Sequence, residues 1–342
     1  MSKILVTGGT GYIGSHTVVA LQQAGYEVII VDNLDNSSIG ILDQITRISG
    51  IKPEFKELDL GEEQLVKDFI LANPDITGLI HFAAHKAVGE SVNFPLKYYR
   101  NNFFSLINLL SAFEGRQINF VFSSSCTVYG QPDVLPVTED APIKKAESPY
   151  GNTKQIAEEI LTDIAKVNSN YHIISLRYFN PVGAHESALI GELPIGVPQN
   201  LVPFITQSAI GKRGAITVYG DDYNTEDGSC VRDYIHVVDL AKAHLAALKY
   251  QEDGKMPGNY EVFNVGTGTG SSVLQVIAAF EKSTGVKLEY KIGARREGDI
   301  EKVWGDVTKV EAELNWKAEL GLEDMMRSAW AWENYIKENP IQ

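Results

Sequence analysis

The chain has 342 residues, of which 44% are apolar and 22% are charged, and it carries a net charge of −14. Its length and composition are typical of a globular protein with a large core and about two domains. The acidic balance argues against a broad basic surface, two cysteines are too few for a disulfide framework, and no uncharged apolar stretch is long enough to span a bilayer. We therefore expect a cytoplasmic protein that binds neither nucleic acid nor membrane.

Short apolar runs alternate with longer segments of helical periodicity in the first half of the chain. The runs that predict strands are residues 4–6, 27–31, 53–57, 78–81, 119–123 and 172–176. Nearly continuous apolar strands that alternate with helices are typical of a parallel sheet that is covered on both faces. The sequence therefore predicts an α/β fold in which residues 1–177 form a Rossmann-like, doubly wound parallel sheet.

The regular alternation ends near residue 177, where a stretch rich in glycine and proline begins. The later segments predict smaller mixed elements and then helices. We expect residues 178–342 to form a smaller mixed α/β domain that binds the substrate, with some elements that return to the first domain. Near the C-terminus, Trp330, Trp332 and Tyr335 stand at near-helical spacing and are interpreted as packing or interface residues.

A glycine-rich turn, residues 7–14 (TGGTGYIG), follows the first predicted strand and precedes an amphipathic helix. Gly8, Gly11 and Gly14 allow a pyrophosphate to approach the free amide groups at the helix N-terminus. The next strand ends at Asp32, the position from which a carboxylate binds an adenosine ribose and repels a 2′-phosphate. This arrangement predicts a site for NAD rather than NADP.

Tyr150 and Lys154 are four residues apart at the start of a predicted helix, so they share one of its faces. A neighbouring ammonium and an oxidised nicotinamide would lower the pKa of the phenol and make Tyr150 a usable base. Ser125 ends the serine run after the strand at residues 119–123, where a hydroxyl opens into the ligand crevice of such a sheet. Its hydroxyl is placed to bond the same substrate oxygen as Tyr150.

These signals also have purely structural interpretations. The glycines can serve only as a turn, a Tyr–Lys pair on a helix is usually solvated, and Ser123 and Ser124 can simply end their strand. Asp59, in an Asp-Leu-Gly turn after the third strand, fits a helix cap as well as a cofactor contact. No histidine has a carboxylate or cysteine at ligand spacing, so we expect no metal.

Together these residues resemble the extended short-chain dehydrogenase/reductase family and, within it, the UDP-glucose (UDP-galactose) 4-epimerases. The strings that carry the resemblance follow one another through nearly the whole chain. They are residues 6–9 (VTGG), 86–91 (KAVGES), 123–130 (SSSCTVYG), 177–185 (RYFNPVGAH) and 231–236 (VRDYIH). Ala84 departs from the glycine that is frequent at its position in the family, which is a small change.

The resemblance implies a catalytic set of Ser125, Tyr150 and Lys154. Around NAD it implies, beside Gly8, Gly11 and Gly14, the residues Tyr12, Ile13, Asp32, Asn33, Asn36, Ser37, Asp59, Leu60, Phe82, Ala83, Lys86, Asn101, Tyr150, Lys154 and Phe179. Around the UDP-sugar it implies Ser125, Tyr150, Asn180, Asn200, Leu201, Tyr219, Arg232, Arg296, Asp299 and Val303. The residues alone support only part of this substrate set, because an arginine suits a diphosphate but is by default a surface residue.

The activity implied is a UDP-hexose 4-epimerase that interconverts UDP-glucose and UDP-galactose through a 4-keto intermediate and transient NADH. At Val303 the resembling epimerases carry a bulky tyrosine that narrows the pocket, so N-acetylated UDP-sugars are expected to fit as well. The resemblance also implies a homodimer, which we expect to form through the helices around residues 96–113 and 151–165.

Two other functions stay open from the sequence. A sugar-nucleotide dehydratase or decarboxylase shares the oxidation at carbon 4, but such enzymes carry acids where this chain has Cys126 and Thr127. A non-catalytic, NAD-sensing regulator would have little reason to retain Ser125, Tyr150 and Lys154 together.

Overall fold

The computed structural model describes residues 2–296 and 300–341. Its strands are β1 (Lys3–Thr7), β2 (Glu27–Asp32), β3 (Glu54–Glu57), β4 (Ile76–His81), β5 (Ile118–Ser123), β6 (Tyr171–Tyr178), β7 (Asn180–Val182), β8 (Ile216–Tyr219), β9 (Val231–Arg232), β10 (Tyr234–His236), β11 (Tyr260–Val265), β12 (Ser271–Ser272), β13 (Tyr290–Gly293) and β14 (Lys302–Val303). Its helices are α1 (Tyr12–Gln23), α2 (Ile41–Ser49), α3 (Glu63–Ala72), α4 (Val88–Asn93), α5 (Pro95–Ala112), α6 (Pro149–Val167), α7 (Leu201–Ala209), α8 (Val237–Glu252), α9 (Val273–Thr284), α10 (Thr308–Leu314) and α11 (Leu322–Glu338). A short 3₁₀ helix, Cys126–Tyr129, follows β5.

Within the described residues, seven parallel strands form the central sheet in the order β11-β6-β5-β4-β1-β2-β3. The inner strands are almost wholly buried because helices cover both faces of the sheet. Their order reverses between β1 and β4, so the carboxyl ends of these two strands open the crevice where such folds bind ligands. The prediction of a Rossmann-like parallel sheet is confirmed.

The six strands predicted from apolar runs are all present, each with ends within two residues of the prediction. The largest differences are in β4 and β6, where the strand extends two residues beyond the predicted segment. The seventh strand, β11, comes from the second half of the chain and pairs with β6. The sequence boundary near residue 177 therefore falls inside β6, one residue before that strand ends.

Two apolar cores flank the central sheet. Helices α1, α2 and α8 pack over one face, and α3, α5 and α6 pack over the other. A third core joins α7, α9 and α11 in the second half of the chain, around Phe280 and Met326. Trp332 is buried and stacks on Tyr335, which confirms the packing interpretation for this side chain.

Small sheets in the second half bring distant segments together. β7 pairs with β10, β9 lies between β12 and β14, and β8 pairs with β13. One consequence is that Arg232 in β9 lies opposite Val303 in β14. Among the described residues, no helix is both long and apolar enough to cross a membrane.

Buried imidazoles make the fold sensitive to acid. Burial lowers the pKa of His16 and His81 to about 3 and that of His236 and His244 to about 4. In the unfolded chain these groups titrate near pH 6.5, so between that pH and about 4 the unfolded state binds more protons than the folded state. The free energy of unfolding is therefore expected to fall as the pH drops through this window.

The check is denaturant unfolding at several pH values for the wild type and for His244→Gln, whose side chain does not titrate. The variant is expected to lose less stability between pH 6.5 and 4.5, by on the order of 1–2 kcal/mol. If the free energy of unfolding fell equally steeply with pH in the two proteins, His244 would not contribute to the acid sensitivity.

Candidate active site

The glycine-rich turn after β1 is shaped by close backbone contacts. A Cβ on Gly14 would lie 2.2 Å from the carbonyl oxygen of Gly8, and a Cβ on Gly8, whose φ is +70°, would lie 2.8 Å from the Ala83 nitrogen. The amide of Gly11 donates to Gly8 O, and α1 begins at the next residue. The turn therefore places the helix N-terminus at the edge of the sheet with space for a phosphate group, as a dinucleotide requires.

Asp32 is the last residue of β2 and organises the loop that follows it. Its carboxylate accepts hydrogen bonds from the amides of Thr10 at 3.2 Å and Leu34 at 3.0 Å and from the Ser37 hydroxyl at 3.1 Å. These contacts hold the glycine turn against the end of β2. The carboxylate thus stands where a ribose diol of a dinucleotide would be bound.

Beside this loop is a cavity of about 680 Å³ at the ends of β2 and β3. Asn33 and Asp59 line it, together with the apolar side chains of Leu58 and Phe69. Asp59 also accepts a hydrogen bond from the Gly61 amide at 2.8 Å in the turn before α3. The helix-cap interpretation of Asp59 is wrong, because Glu62 is the N-cap residue of α3 and no side chain among the described residues bonds the first turn of that helix. The cofactor contact of Asp59 stays a prediction.

The segment after β4 forms the opposite wall of the crevice. The Phe82 ring packs on His244 at 4.7 Å between centroids, and the Lys86 ammonium lies 5.8 Å from the centroid of Tyr12 and 3.4 Å from Glu192. Asn102 fixes this segment to α5, since its amide bonds both the N–H and the carbonyl of residue 85.

The remaining residues predicted around NAD are distributed along the same edge of the sheet. Asn101 donates to Asn102, while Phe179 is buried between the glycines at 266 and 305. Leu60 is buried, Ala83 and Ile13 are partly buried, and Asn36 is exposed on the loop after β2.

Tyr150 and Lys154 lie in the first two turns of α6, as the sequence predicts. Ser148 caps this helix by accepting from the Gly151 amide, and the Tyr150 amide donates to Ser91 Oγ at 3.2 Å. Ser125 stands close enough to the Tyr150 phenol to lower its pKa, and the Lys154 ammonium donates to the Ser123 carbonyl at 2.5 Å. The three predicted catalytic side chains therefore converge where α6 meets the end of β5.

The protein environment alone raises the pKa of Tyr150 well above its ordinary value. The main cause is burial, and the neighbouring Ser125 hydroxyl opposes this rise in pKa only in part. The Lys154 ammonium lies 5.9 Å from the centroid of the phenol ring, and burial lowers the pKa of this lysine to about 8. Within the protein alone, Lys154 does not bring the pKa of the phenol down, so a further positive charge is needed to stabilise the phenolate.

The serines before the 3₁₀ helix have separate roles. Ser123 Oγ lies 2.5 Å from the Tyr178 hydroxyl and Ser124 Oγ donates to Glu158, so both are engaged within the protein. Ser125 Oγ accepts from the Thr127 amide at 3.2 Å. The structural interpretation is thus confirmed for the first two serines, while Ser125 alone reaches Tyr150.

Residues of the second half form the other side of the crevice. Asn180 begins β7, and its amide donates to the Asp233 carbonyl at 2.9 Å. Val303 packs with Val128 and Phe179, which places β14 against the 3₁₀ helix that follows Ser125. Arg232 lies beside it on β9.

The other predicted substrate residues lie on separate elements. The Arg296 guanidinium lies 5.6 Å from the ring centroid of Tyr219 at the end of β8. Asn200 donates to Glu192 at 2.7 Å and Leu201 begins α7, so both lie near Lys86 through the shared contact with Glu192. Asp299 lies outside the described residues.

Several polar residues at the site were not predicted. Thr127 Oγ1 is buried and has no hydrogen-bond partner among the described residues. Asp233 is fully buried and accepts hydrogen bonds from the Thr267 and Gly268 amides, at 2.8 and 3.2 Å. The sequence shows Asp233 as a carboxylate within an apolar run, which is unusual. Its hydrogen-bond partners lie more than thirty residues away, so its role could not be predicted from its neighbours.

Buried next to the catalytic helix is the ion pair of Glu158 and Arg177. In the sequence, the position of Glu158 four residues after Lys154 indicates that the two side chains share a face of the helix. Within the described part of the chain, no group of three or more His, Cys, Asp or Glu side chains is arranged to hold a metal ion.

Comparison with known proteins gives consistent matches over nearly the full length of the chain. A family model described as GDP-mannose 4,6 dehydratase matches residues 5–329. UDP-glucose 4-epimerase 2 of Arabidopsis thaliana is 49% identical over 334 residues, which cover 96% of this chain and 94% of that protein.

Solved structures match equally well. The UDP-glucose 4-epimerase of Stenotrophomonas maltophila, with bound NAD and formylated UDP-arabinopyranose, superposes with a TM-score of 0.95 at 46% identity and covers 99% of this chain and 100% of that chain. The UDP-glucose 4-epimerase of Bifidobacterium longum, in complex with NAD+ and UDP, gives a TM-score of 0.92 at 45% identity with 99% of each chain covered.

Proposed function

Because this chain belongs to the UDP-glucose 4-epimerase family, we propose that it is an NAD-dependent epimerase that interconverts UDP-glucose and UDP-galactose. The observation that carries the proposal is the convergence of Ser125, Tyr150 and Lys154 at the end of β5, beside a glycine turn shaped for a dinucleotide. The substrate is a UDP-sugar and the cofactor is NAD. Cytoplasmic location is part of the same proposal, supported by Cys126 and Cys230, which are both free thiols, as is usual in a reducing compartment.

The residues present fit NAD. Gly8 and Gly14 permit the tight turn before α1, because a Cβ at either position would strike backbone, and Asp32 stands at the end of β2 for the adenosine ribose. Phe82, Lys86 and Phe179 line the walls of the crevice and would enclose the remaining part of NAD. When bound, NAD accepts a hydride from carbon 4 of the sugar and later returns it.

The chain's own residues supply the acid–base chemistry. Tyr150 removes the proton from the sugar O4 during oxidation and returns it during reduction, while Ser125 hydrogen-bonds the same oxygen. Lys154 and the positive charge of the oxidised nicotinamide together offset the cost of a buried phenolate. Arg232 and Arg296 hold the diphosphate, so the 4-keto hexose can turn over about its link to UDP and present its other face.

The alternative chemistry of a dehydratase is not favoured, although the matching family model bears that description. Elimination of water needs an acid beside the catalytic tyrosine. The two positions after Ser125 carry Cys126, whose pKa burial raises to about 12, and Thr127. Neither side chain is an acid at neutral pH, which leaves epimerisation as the reaction that this site supports.

Removal of the Tyr150 hydroxyl is the direct test of the proposed base. Tyr150→Phe is expected to lower turnover of UDP-galactose by at least about a hundredfold, the order of a general acid–base contribution, with fold and NAD content unchanged. Product analysis without added NAD measures the rate, and Tyr26→Phe is the matched control because the Tyr26 hydroxyl bonds Glu252 outside the crevice.

Lys154→Ala extends the same test. It is expected to lower turnover and to move the pH optimum upward, because the cation that favours the phenolate is lost. Near-normal activity of Tyr150→Phe would remove this residue from the role of base.

Acceptance of N-acetylated UDP-sugars is proposed from the position of Val303. This side chain is buried against the 3₁₀ helix after Ser125, whereas Trp304 lines a different surface with Lys302 and Val231. An isopropyl group there leaves space beside carbon 2 that a tyrosine would fill, and a pocket rejects added bulk more strongly than missing bulk.

Val303→Tyr tests this proposal. The wild type is expected to epimerise both UDP-galactose and UDP-N-acetylgalactosamine, and the variant is expected to keep only UDP-galactose. Retained turnover of UDP-galactose serves as the internal control for folding. A wild type that ignores the acetylated sugar would contradict the proposal.

A homodimer is proposed through α5 and α6. Leu106, Leu109 and Leu110 of α5 face the core, but Phe104 and Ile107 remain 49% and 42% exposed on the opposite side of the helix. Since α5 packs directly on α6, a two-helix face from each of two copies would form a four-helix contact.

Light scattering of the variant Phe104→Glu/Ile107→Lys is expected to give a monomer where the wild type gives a dimer at micromolar concentration. Leu71→Glu, on α3 and 75% exposed, is the control and should leave the dimer intact. A wild type that scatters as one chain would overturn the proposal.

A further inference from the structure

A buried ion pair stands beside the catalytic lysine. Glu158 and Arg177 are joined by three contacts, from Nε at 3.0 and 3.2 Å and from Nη2 at 2.6 Å. The side chains are only 9% and 7% exposed. A buried pair of this kind is weak support for stability, because desolvation offsets most of the attraction.

The surroundings of the pair fix its orientation. Ser124 Oγ donates to Glu158, and Arg177 Nη1 donates to the Tyr129 hydroxyl at 3.0 Å and to the Glu139 carbonyl at 3.1 Å. Tyr129 in turn donates to Asn264 at 2.7 Å. The carboxylate is thus held by α6, by the serine run after β5 and by β6 at once, with little freedom to move.

Glu158 lies one helical turn after Lys154 on the same face of α6. From these positions we propose that Glu158, oriented by Arg177 and Ser124, is a positioning residue that keeps Lys154 in its charged form. The inference rests on the proposed function, since it assigns the charge of Lys154 to the reaction. Glu158 acts through the lysine and touches no reacting atom.

The electrostatics of the site agree with this role. Burial lowers the pKa of Lys154 to about 8, and the charge that opposes the effect is Glu158. The other titratable side chains around Lys154 and Tyr150, from β4, α5, the 3₁₀ helix and β6, are His81, Tyr98, Cys126 and Tyr178. Burial lowers the pKa of His81 to about 3 and raises those of Cys126 and Tyr178 to about 12, and it also raises the pKa of Tyr98. These four are uncharged near neutral pH, whereas Arg177, also on β6, is charged and is paired with Glu158.

The test is the titration of Lys154 in the NAD-bound protein, followed by NMR with lysine labelled at its ε-carbon. The signal is assigned by its loss in Lys154→Ala. In Glu158→Gln the midpoint is expected to fall by about one to two pH units, the size of a unit-charge interaction across one helical turn. Glu159→Gln removes the neighbouring, exposed carboxylate of α6 and should leave the midpoint unchanged.

The pH dependence of turnover gives the second readout. Since Lys154 must be protonated, the alkaline limb of kcat is expected to move to lower pH in Glu158→Gln by the same interval. A kcat that falls equally at every pH, with an unmoved lysine midpoint, would assign Glu158 a merely structural role and overturn the proposal. A wild type without epimerase activity would defeat the proposed function but leave the lysine midpoint as a valid test.

Loss of one partner from a buried ion pair can prevent folding, so a second variant is needed. Glu158→Met/Arg177→Met replaces the pair with apolar side chains of similar volume, a change that proteins often tolerate. This variant is expected to fold, and the midpoint of the Lys154 titration is expected to stay below that of the wild type because the carboxylate is absent. A midpoint that returned to the wild-type value would overturn the proposal.

Discussion

The burial of parallel strands on both faces is the constraint on which this structure depends. Strands with apolar side chains in both directions leave no place for polar chemistry within the sheet, so polar groups collect where the strands end. Asp32 follows the run of β2, the serines follow β5 and Asn180 follows β6. Because parallel strands end on one edge, these residues lie along a common crevice.

The same burial creates the electrostatic problem of the active site. A phenol and an ammonium removed from water both favour their neutral forms, which is the opposite of what a phenolate base and a lysine cation require. Ionic groups must therefore be supplied nearby. NAD brings a positive charge to the tyrosine, and Glu158 places a negative charge one turn from the lysine.

In the second half of the chain, a few buried or partly buried carboxylates join segments that are distant in the sequence. Asp233 joins the segments after β11 and β14, and Glu192 joins Lys86 to Asn200. Glu192 is itself placed by its carbonyl, which accepts from the Trp332 indole at 2.7 Å. Within the described residues, α11 and the small sheets thus hold together the loops that carry the proposed sugar-nucleotide site.

The sequence by itself determined the central sheet, the glycine turn and the Tyr150–Lys154 pair, because each depends on local periodicity, spacing or backbone freedom. Hydrophobic alternation fixed which runs become strands, and a separation of four residues fixed a shared helix face. Only the tertiary structure decided that β11 completes the sheet beside β6, that Ser124 engages Glu158 while Ser125 reaches Tyr150, and that the pKa of the phenol is raised. These outcomes depend on burial and on partners distant in the chain, and neither can be read from the residues next to them.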